Sequence, residues 1–299
     1  MALPDAVKLG VSPLSWTNDV LEDLGGAIAL ETCLDQAAAA GFGGIELGRK
    51  FPRDVDSLRP LLDRHALSLV SGWYSGALAS GDVATEIAAV APHAQLLHDM
   101  GCEVMVYGEV AMMTGDTPLD VAMSTRTRMP EAARAAYGAR LTAFAAHLQA
   151  HYGLRLAYHH HLMMVAETLD EIDAILSACG PEVGLLLDTG HAVGAGFDYG
   201  ALIERFGARI AHIHLKDIRP EVMAKVRTRD LGFNQGVRAG MFTVPGDGCI
   251  DFAPLARFVI DSGYRGWLVI EAEQDPAKAE PQAAVRQGKS HILSVFDGF

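Results

Sequence analysis

Eight short apolar segments alternate with longer helical patterns along the whole of this 299-residue chain. The segment VGLLLD at 183–188 is almost wholly apolar, which is typical of a strand buried on both faces. Many of the helical patterns end at glycine, the residue that most often follows a helix. A strand followed by a helix, repeated in this way, predicts a parallel sheet with helices packed on it. The predicted strands are residues 8–13, 44–48, 67–73, 103–109, 154–160, 183–188, 210–217 and 267–273.

Two parallel architectures are compatible with eight such units, an open doubly wound sheet and a closed barrel. The doubly wound sheet usually has a glycine-rich phosphate loop after its first strand. The corresponding stretch here is SPLSWTND, which contains no G-x-G-x-x-G motif. The sequence therefore predicts a single (β/α)8 TIM barrel over residues 1–299. Two long loops, at about 109–130 and 218–250, are expected to rise over the mouth of that barrel.

The charge of the chain limits its partners. It has 37 acidic and 24 basic side chains and a formal net charge of −13. No Lys/Arg cluster stands out, which argues against binding to nucleic acid or to anionic membranes. The four cysteines form no C-x-x-C pair, and no apolar stretch has the length of a signal peptide core or a membrane span. We expect a cytoplasmic protein in a reducing compartment, either monomeric or a homo-oligomer.

Four of the predicted strands end in clusters of ionisable residues. Such groups are costly to bury without partners, so they must face a cleft, a metal or one another. In a barrel the carboxyl ends of all strands meet at one face, so these clusters are expected to converge there. They are His159–His161, Asp188 with His191, His212–Asp217, and Glu271 with Glu273.

Strand alternation selects the residues of these clusters that point into the barrel. Side chains two positions apart share a face, so His159 and His161 point the same way. Asp188, His214 and Glu271 are predicted to hold a divalent metal together with a fourth ligand from the fifth strand. Nitrogen and oxygen donors in this mixture suit Mn²⁺, Co²⁺, Zn²⁺ or Mg²⁺.

Some residues of these clusters have simpler interpretations. His160 is expected to point outward against a helix. His212 lies deeper in its strand and is as well explained as a hydrogen-bonded core histidine. Lys216 and Asp217 are equally compatible with a surface ion pair.

Other polar and aromatic residues follow the first three strands. Glu46, Lys50 and Arg53 come after the second strand, where a solvated loop and a substrate contact are equally good interpretations. Trp16 and Trp73 lie on the predicted mouth side. Core packing explains them by default, but an indole face there could also stack on a ring.

Seven stretches carry a resemblance to a known family. They are SWTNDVLEDLG, GIELGRKFPRD, YHHH with the following VAET, LLLDTGHAVGAGFD, HIHLKDIR, FTVPGDGCIDF and VIEAEQDPAKA. With them the chain resembles the xylose isomerase-like barrel superfamily of sugar isomerases, epimerases and apurinic endonucleases, and within it the inosose dehydratase family. The D-T-G-H and H-x-K-D motifs are common to the superfamily, whereas WTND, GRKFPRD and EAEQDPAKA are more specific. The resemblance covers about residues 8 to 280.

The resemblance implies a metal held by Glu, Asp, His and Glu from strands five to eight. The last three positions fall on residues already noted, namely Asp188, His214 and Glu271. The first position departs from the family, because His159 stands where the glutamate is usual. The fourth ligand is therefore His159, or Glu167 from the following loop, or water. Glu273, two residues further on, is an alternative to Glu271.

The resemblance also implies an activity, the metal-dependent dehydration of 2-keto-myo-inositol (inosose) to a trihydroxycyclohexane-1,2-dione in myo-inositol catabolism. In that reaction His161 and His191 are the acid and base candidates, and Lys216 would steady the enolate oxygen. The residues expected to hold the cyclic polyol ketone are Trp16, Asn18, Glu46, Arg53 and Trp73. Cobalt or manganese is implied as the metal. Glutathione is implied by resemblance only, and no residue pattern indicates a site for it.

Three rival functions use the same features. An isomerase or epimerase on this scaffold would return the abstracted proton instead of expelling hydroxide. An apurinic endonuclease would need a basic surface, which the net charge of −13 argues against. A non-catalytic sugar-binding module would bind its ligand without needing the metal.

Overall fold

Eight parallel strands close into a barrel in the computed structural model of the protein, which describes residues 3–113 and 115–299. The barrel strands are β1 (Val7–Val11), β2 (Gly44–Leu47), β3 (Ser68–Gly76), β4 (Val104–Glu109), β5 (Arg155–His159), β6 (Val183–Asp188), β7 (Ile210–Leu215) and β10 (Gly266–Ile270). Around the barrel the order is β1, β10, β7, β6, β5, β4, β3 and β2, and every neighbouring pair is parallel. The predicted (β/α)8 fold is confirmed.

Helices follow the strands and form the outer layer. They are α1 (Leu30–Ala39), α2 (Val55–Arg64), α3 (Val83–Asp99), α4 (Glu131–Tyr152), α5 (Leu169–Ser177), α6 (Thr189–Gly194), α7 (Gly200–Phe206), α8 (Pro220–Thr228), α9 (Phe233–Ala239), α10 (Ala253–Ser262) and α11 (Pro281–Asp297). Local capping sets several of their starts. Thr168 and Glu171 form a capping box at α5, and the Asp82 carboxylate accepts from the Thr85 amide at α3. Within the described part of the chain, none of these helices is long and apolar enough to cross a membrane.

The strands divide the core into two parts. Leu185 and Leu187 belong to the large apolar layer between the sheet and the helices, whereas Leu186 packs inside the barrel. Inside the barrel, the side chains are closely packed at the amino-terminal ends of the strands. A Cβ at Gly44 would lie 2.7 Å from Val70 Cγ2 and 2.8 Å from the ring of Trp267. The lower barrel is therefore a packed core, and open space remains only at the carboxyl ends of the strands.

A bulge in β7 sets the direction of its histidines. Leu185 of β6 is opposite Ile210, but the next residue, Leu186, is opposite His212. One extra residue, Ala211, is therefore accommodated in β7, and both Ala211 and His212 lie buried there. From this point the register holds, with Asp188 opposite His214.

The two long connections over the mouth differ from each other. Residues 218–250, predicted as a loop, instead contain α8, α9 and the strand β9 (Phe242–Thr243), which pairs antiparallel with β8 (Asp217–Ile218). Apolar side chains of this segment, including Met223, Phe233 and Phe242, form a second core over the barrel, which is why it folds. The connection after β4 is mostly irregular apart from a 3₁₀ turn at Met123–Thr125.

Candidate metal centre and active site

A cavity of about 840 Å³ opens at the carboxyl ends of the strands. His159, His214 and Glu271 line it at the barrel end, and Trp73 and His161 line its side. Residues of the two long connections complete its outer wall: Val110, Met113, Leu119, Phe233, Asn234 and Arg238. Its size is within the range of small-molecule sites, about 300–1,000 Å³.

Four side chains from four neighbouring strands meet at the inner end of this cavity. Asp188 Oδ2 lies 3.7 Å from His159 Nε2 and 3.7 Å from His214 Nδ1. His214 Nδ1 is 3.3 Å from Glu271 Oε2. Ligand atoms of one ion, each about 2.0–2.2 Å from it, stand at such separations from one another. His159, Asp188 and His214 lie close enough together to hold one ion, and Glu271 adjoins His214. The ligand set expected from the sequence, with His159 as its fourth member, stays a prediction.

The atoms of this cluster that lack hydrogen-bond partners fit a divalent metal. Asp188 Oδ1 accepts from the His191 amide, whereas Asp188 Oδ2 is buried with no hydrogen-bond partner among the described residues. His214 Nδ1 is buried and unpartnered in the same way. His159 Nδ1 donates to the carbonyl of His160 at 2.6 Å, which leaves Nε2 as the acceptor toward the cluster. Buried polar atoms without hydrogen-bond partners are rare, and a bound cation would satisfy Asp188 Oδ2 and His214 Nδ1 at once.

The charges of the cluster agree with this assignment. Burial lowers the pKa of His159 well below its usual value, so its ring is neutral as a ligand must be. For Asp188, burial opposes ionisation, but Lys216, His214 and His159 together outweigh it and lower the pKa. For His214, burial opposes protonation, but Glu46 and Glu271 outweigh it and raise the pKa well above its usual value. A metal at Nδ1 would therefore displace a proton from His214.

Glu46 holds the metal-facing histidine in place. Its Oε1 accepts from His214 Nε2 at 3.1 Å, from His212 Nε2 at 3.0 Å and from Ser71 Oγ at 2.6 Å. A carboxylate on the far nitrogen of a liganding histidine fixes the tautomer and raises the basicity of the ring. Glu46 was predicted to contact substrate, and it does line the cavity, while its Oε1 is engaged by these partners. The substrate contact stays a prediction. His212 is the hydrogen-bonded core histidine that its simpler interpretation described.

Lys216 is buried beside the metal-binding cluster, with 1% of its surface exposed. Its ammonium contacts Glu271 Oε1, lies 3.1 Å from Glu273 Oε2 and 3.7 Å from Asp188 Oδ2. Burial opposes its charge, but these carboxylates outweigh it and raise the pKa of Lys216. The stem of Lys216 needs Gly190, where a Cβ would lie 2.6 Å from Lys216 Cγ.

The alternative of a Lys216–Asp217 surface ion pair is wrong. Asp217 is fully buried on the other side of the strand. Its carboxylate accepts from the amides of Ile218, Gly246, Cys249 and Ile250 at 2.8 to 3.0 Å. Asp217 is thus a structural residue that organises the segment after β9.

The rings of His161 and His191 pack against each other, with centroids 3.8 Å apart and planes tilted by 36°. His161 Nδ1 donates to the Leu162 carbonyl at 2.6 Å, so Nε2 is the nitrogen free to contact a ligand in the cavity. His191 is fully buried behind it: Nδ1 accepts from the Leu162 amide at 3.2 Å, and Nε2 lies 3.1 Å from Lys216 Nζ. Only His161 of the two lines the cavity.

Some of the residues predicted to hold substrate line the cavity, and others do not. Trp73 is 37% exposed in the cavity wall, 5.6 Å from the His159 ring, and Asn18 also lines the cavity. Asn18 Oδ1 accepts from the amides of Val20 and Leu21. Trp16 and Arg53 are not among the described residues of the lining. Trp16 is buried and donates to Gln36, and Arg53 donates to the Gly48 carbonyl.

Three other residues that the sequence analysis discussed, Glu167, His160 and Lys50, lie outside the metal-binding cluster. Glu167 pairs with Arg126 at 3.0 Å and accepts from the Met163 amide at 2.6 Å, which occupies both of its oxygens. The outward-pointing His160 is fully buried, packs 6.3 Å from Phe197 and accepts from the Asp188 amide at 3.2 Å. Lys50 donates to three carbonyls of the segment after β1. Arg126 was missed by the sequence reasoning, since an arginine in a long loop carries no signal of its partners.

Comparison with known proteins agrees with this geometry. The family described as xylose isomerase-like TIM barrel matches residues 34–294. The rhizopine catabolism protein MocC of Rhizobium meliloti is 42% identical over 96% of this chain and 88% of its own. An inosose dehydratase of Geobacillus thermodenitrificans is 39% identical over 96% of both chains.

Solved structures share the fold. The IOLI protein with a bound zinc atom superposes with a TM-score of 0.69 at 15% identity, covering 98% of this chain and 99% of that one. A D-allulose 3-epimerase of Methylomonas sp. gives 0.67 at 19% identity, covering 99% of this chain and 100% of that one. The resemblance expected from the sequence motifs is confirmed by the curated relatives. The chain therefore belongs to the xylose isomerase-like TIM barrel family and resembles the inosose dehydratases within it.

Proposed function

We propose that this protein is a metal-dependent hydro-lyase that removes water from inosose, a cyclic polyhydroxy ketone, to give a trihydroxycyclohexane-1,2-dione. The observation that carries the proposal is the convergence of His159, Asp188, His214 and Glu271 at the inner end of the cavity, with two buried atoms unpartnered. Inosose dehydratases at 38 to 40% identity over nearly the full chain support the substrate.

Dehydration needs charge stabilisation and two proton transfers. When bound, a divalent ion supplies a Lewis acid for the ketone oxygen and for the negative charge that develops after the α-proton is lost. The chain's own residues orient the ring beside the four ligands. Trp73 offers an indole face in the cavity wall, and Lys216 keeps the carboxylates of Glu271 and Glu273 in place from below.

His161 is placed to take the α-proton. Its Nδ1 hydrogen is fixed on the Leu162 carbonyl, so Nε2 carries the free lone pair, and burial lowers the pKa so that the ring is neutral. The leaving hydroxyl needs a proton in return. Glu273 lines the cavity beside Lys216, and burial raises the pKa of its carboxyl, so Glu273 is the candidate donor of this proton. One proton is taken, one is given, and water leaves.

The identity of the metal, the cellular location and the partners are also part of this proposal. Two imidazoles and two carboxylates suit Mn²⁺ or Co²⁺, which the family resemblance implies, and also Zn²⁺; all-oxygen sites would favour Mg²⁺. We infer a cytoplasmic enzyme without nucleic-acid or membrane partners from the net charge of −13 and the composition. Glutathione is supported by resemblance alone.

Incubation of the metal-loaded protein with inosose in deuterated water tests the reaction. A dehydratase yields the ultraviolet-absorbing dione and releases water. The runner-up function, an isomerase or epimerase on the same barrel, returns the proton to carbon instead and would yield deuterated starting ketone or its isomer with no dione.

Substitution at the fifth strand tests the unusual ligand. We expect His159→Gln to weaken metal binding by about 10–100-fold or more, at least the loss typical of an outer-shell change. Glu167→Gln should leave metal affinity near that of the wild type, because Glu167 is engaged with Arg126. Isothermal titration with Mn²⁺ measures both variants. The reverse pattern would transfer the ligand role to Glu167.

A further inference from the structure

A tight turn follows β5 and carries the proposed proton-transfer residue at its start. The His161 amide donates to the Ala166 carbonyl at 3.1 Å, and the Met164 amide donates to the His161 carbonyl at 3.1 Å. Met163 adopts a left-handed backbone with φ 72°, which side chains with a Cβ rarely adopt. Such a conformation persists only where surrounding contacts hold it.

The orientation of the His161 ring depends on this turn. Its Nδ1 donates to the carbonyl of Leu162, a residue of the turn itself. The Leu162 amide donates to His191 Nδ1, so the same residue also fixes the ring that packs behind His161. A rotation of the peptides in the turn would therefore redirect both imidazoles.

One arginine from a different part of the chain holds the turn. Arg126 belongs to the long connection after β4, yet its side chain is only 4% exposed. Its Nε lies 3.0 Å from Glu167 Oε1, while Glu167 Oε2 accepts from the strained Met163 amide at 2.6 Å. Arg126 Nη1 also donates to the Met164 carbonyl at 3.4 Å.

A second contact of the guanidinium anchors Arg126 to the start of helix α5. Arg126 Nη2 lies 2.8 Å from both oxygens of Glu171, the capping-box residue of α5. The guanidinium thus bridges two carboxylates, with Nε on Glu167 and Nη2 on Glu171, and its planar, fixed donors hold them more rigidly than a lysine ammonium would. Arg126 therefore joins the connection over the mouth, the turn after β5 and the start of α5.

We propose that Arg126 is a positioning residue for His161, acting through Glu167 and the Met163 turn. This inference rests on the proposed dehydration only for its kinetic readout. Arg126 is neither one of the four proposed metal ligands nor one of the described lining residues of the cavity, although it contacts the carbonyl of Met164, which does line it. Its effect on turnover should therefore come through the turn and the orientation of His161. The connection after β4 thereby completes the proton-transfer site as well as covering it.

The test replaces Arg126 with methionine in the full-length, metal-loaded protein. We expect kcat for inosose to fall about 10–100-fold, the cost of a slightly misplaced catalytic group, with KM and metal content little changed. Glu167→Gln should lower kcat to the same extent. The variant that combines both substitutions should have a kcat no lower than either single variant, because both substitutions break the same chain of contacts. Arg126→Lys should recover part of the loss.

Arg128→Met is the matched control. Arg128 is two residues away and 76% exposed, and its guanidinium is 4.0 Å from Glu171. It should leave kcat and KM at wild-type values. A kcat for Arg126→Met equal to that of Arg128→Met would overturn the proposal, as would a loss confined to KM or to metal content.

A second readout needs no substrate. In ¹⁵N-histidine NMR spectra, the Nδ1 proton of His161, assigned by its disappearance in His161→Asn, should shift or broaden in Arg126→Met but not in Arg128→Met. Unchanged resonances in both would overturn the proposal even if inosose is not the substrate. Should Arg126→Met fail to fold, Arg126→Lys takes its place in both measurements, and wild-type kcat together with an unshifted proton then counts against the proposal.

Discussion

Asp188→Ala is expected to strip the metal and to lower turnover of inosose by about 10³-fold or more. Loss of the ligand removes the Lewis acid, which lowers the activation barrier by several kcal/mol. A change of about 1.4 kcal/mol in the barrier corresponds to a tenfold change in rate. Asp188 is also surrounded by His159, His214 and Lys216, so the variant leaves Lys216 with fewer negative neighbours. Metal analysis of the purified variant and an assay for the dione measure the two effects.

Asp173→Ala is the matched control for this variant. Asp173 is a half-exposed carboxylate on α5 whose closest cation, Arg205, is 3.8 Å away. A pair of this kind contributes little, so metal content and turnover should be those of the wild type. Full activity of Asp188→Ala in a metal-free sample would show that the four-residue cluster is not a catalytic metal site.

His161→Asn is expected to retain the metal and to bind inosose, while kcat falls by about 10²–10⁴-fold, the usual contribution of a positioned acid or base. Asparagine keeps a polar group near the Leu162 carbonyl but has no nitrogen that can accept the α-proton. Exchange of the α-proton with solvent deuterium should slow to the same extent as dehydration if His161 is the base.

His191→Asn separates this role from packing. His191 lies behind His161 and does not line the cavity, so its loss should lower kcat less than loss of His161. Proton exchange that survives in His161→Asn while dehydration fails would assign His161 as the acid for the leaving hydroxyl. Wild-type rates in both histidine variants would contradict His161 as the base and place that role elsewhere, with Lys216 the next candidate.

The metal-binding cluster was predictable because it depends on rules that act locally. Strand alternation puts His159 and His161 on one face, and both line the cavity. The parallel barrel then brings Asp188, His214 and Glu271 to the same end without any knowledge of their distances. The sequence left His159 and Glu167 open as the fourth ligand, because a glutamate eight residues away in a loop has no fixed direction.

The supporting contacts were not predictable for the opposite reason. Glu46 lies 168 residues from His214 in the chain, and their hydrogen bond forms because closure of the barrel brings the ends of β2 and β7 to one cavity. The burial of Lys216 likewise depends on carboxylates from two other strands and on the small residue Gly190. The segment at 218–250 was expected to be a loop because its short helices are stabilised mainly by their shared apolar core over the barrel.

The most direct test of the metal-dependent dehydratase is a chelation and reloading experiment on the unmodified protein with inosose as substrate. Metal content and dione formation are measured on the same samples, before chelation, after it, and after addition of Mn²⁺ or Co²⁺. We predict that turnover disappears with the metal and returns in proportion to the metal restored. Undiminished dione formation by the metal-free protein, or a fully reloaded protein that forms no dione from inosose, would contradict the account.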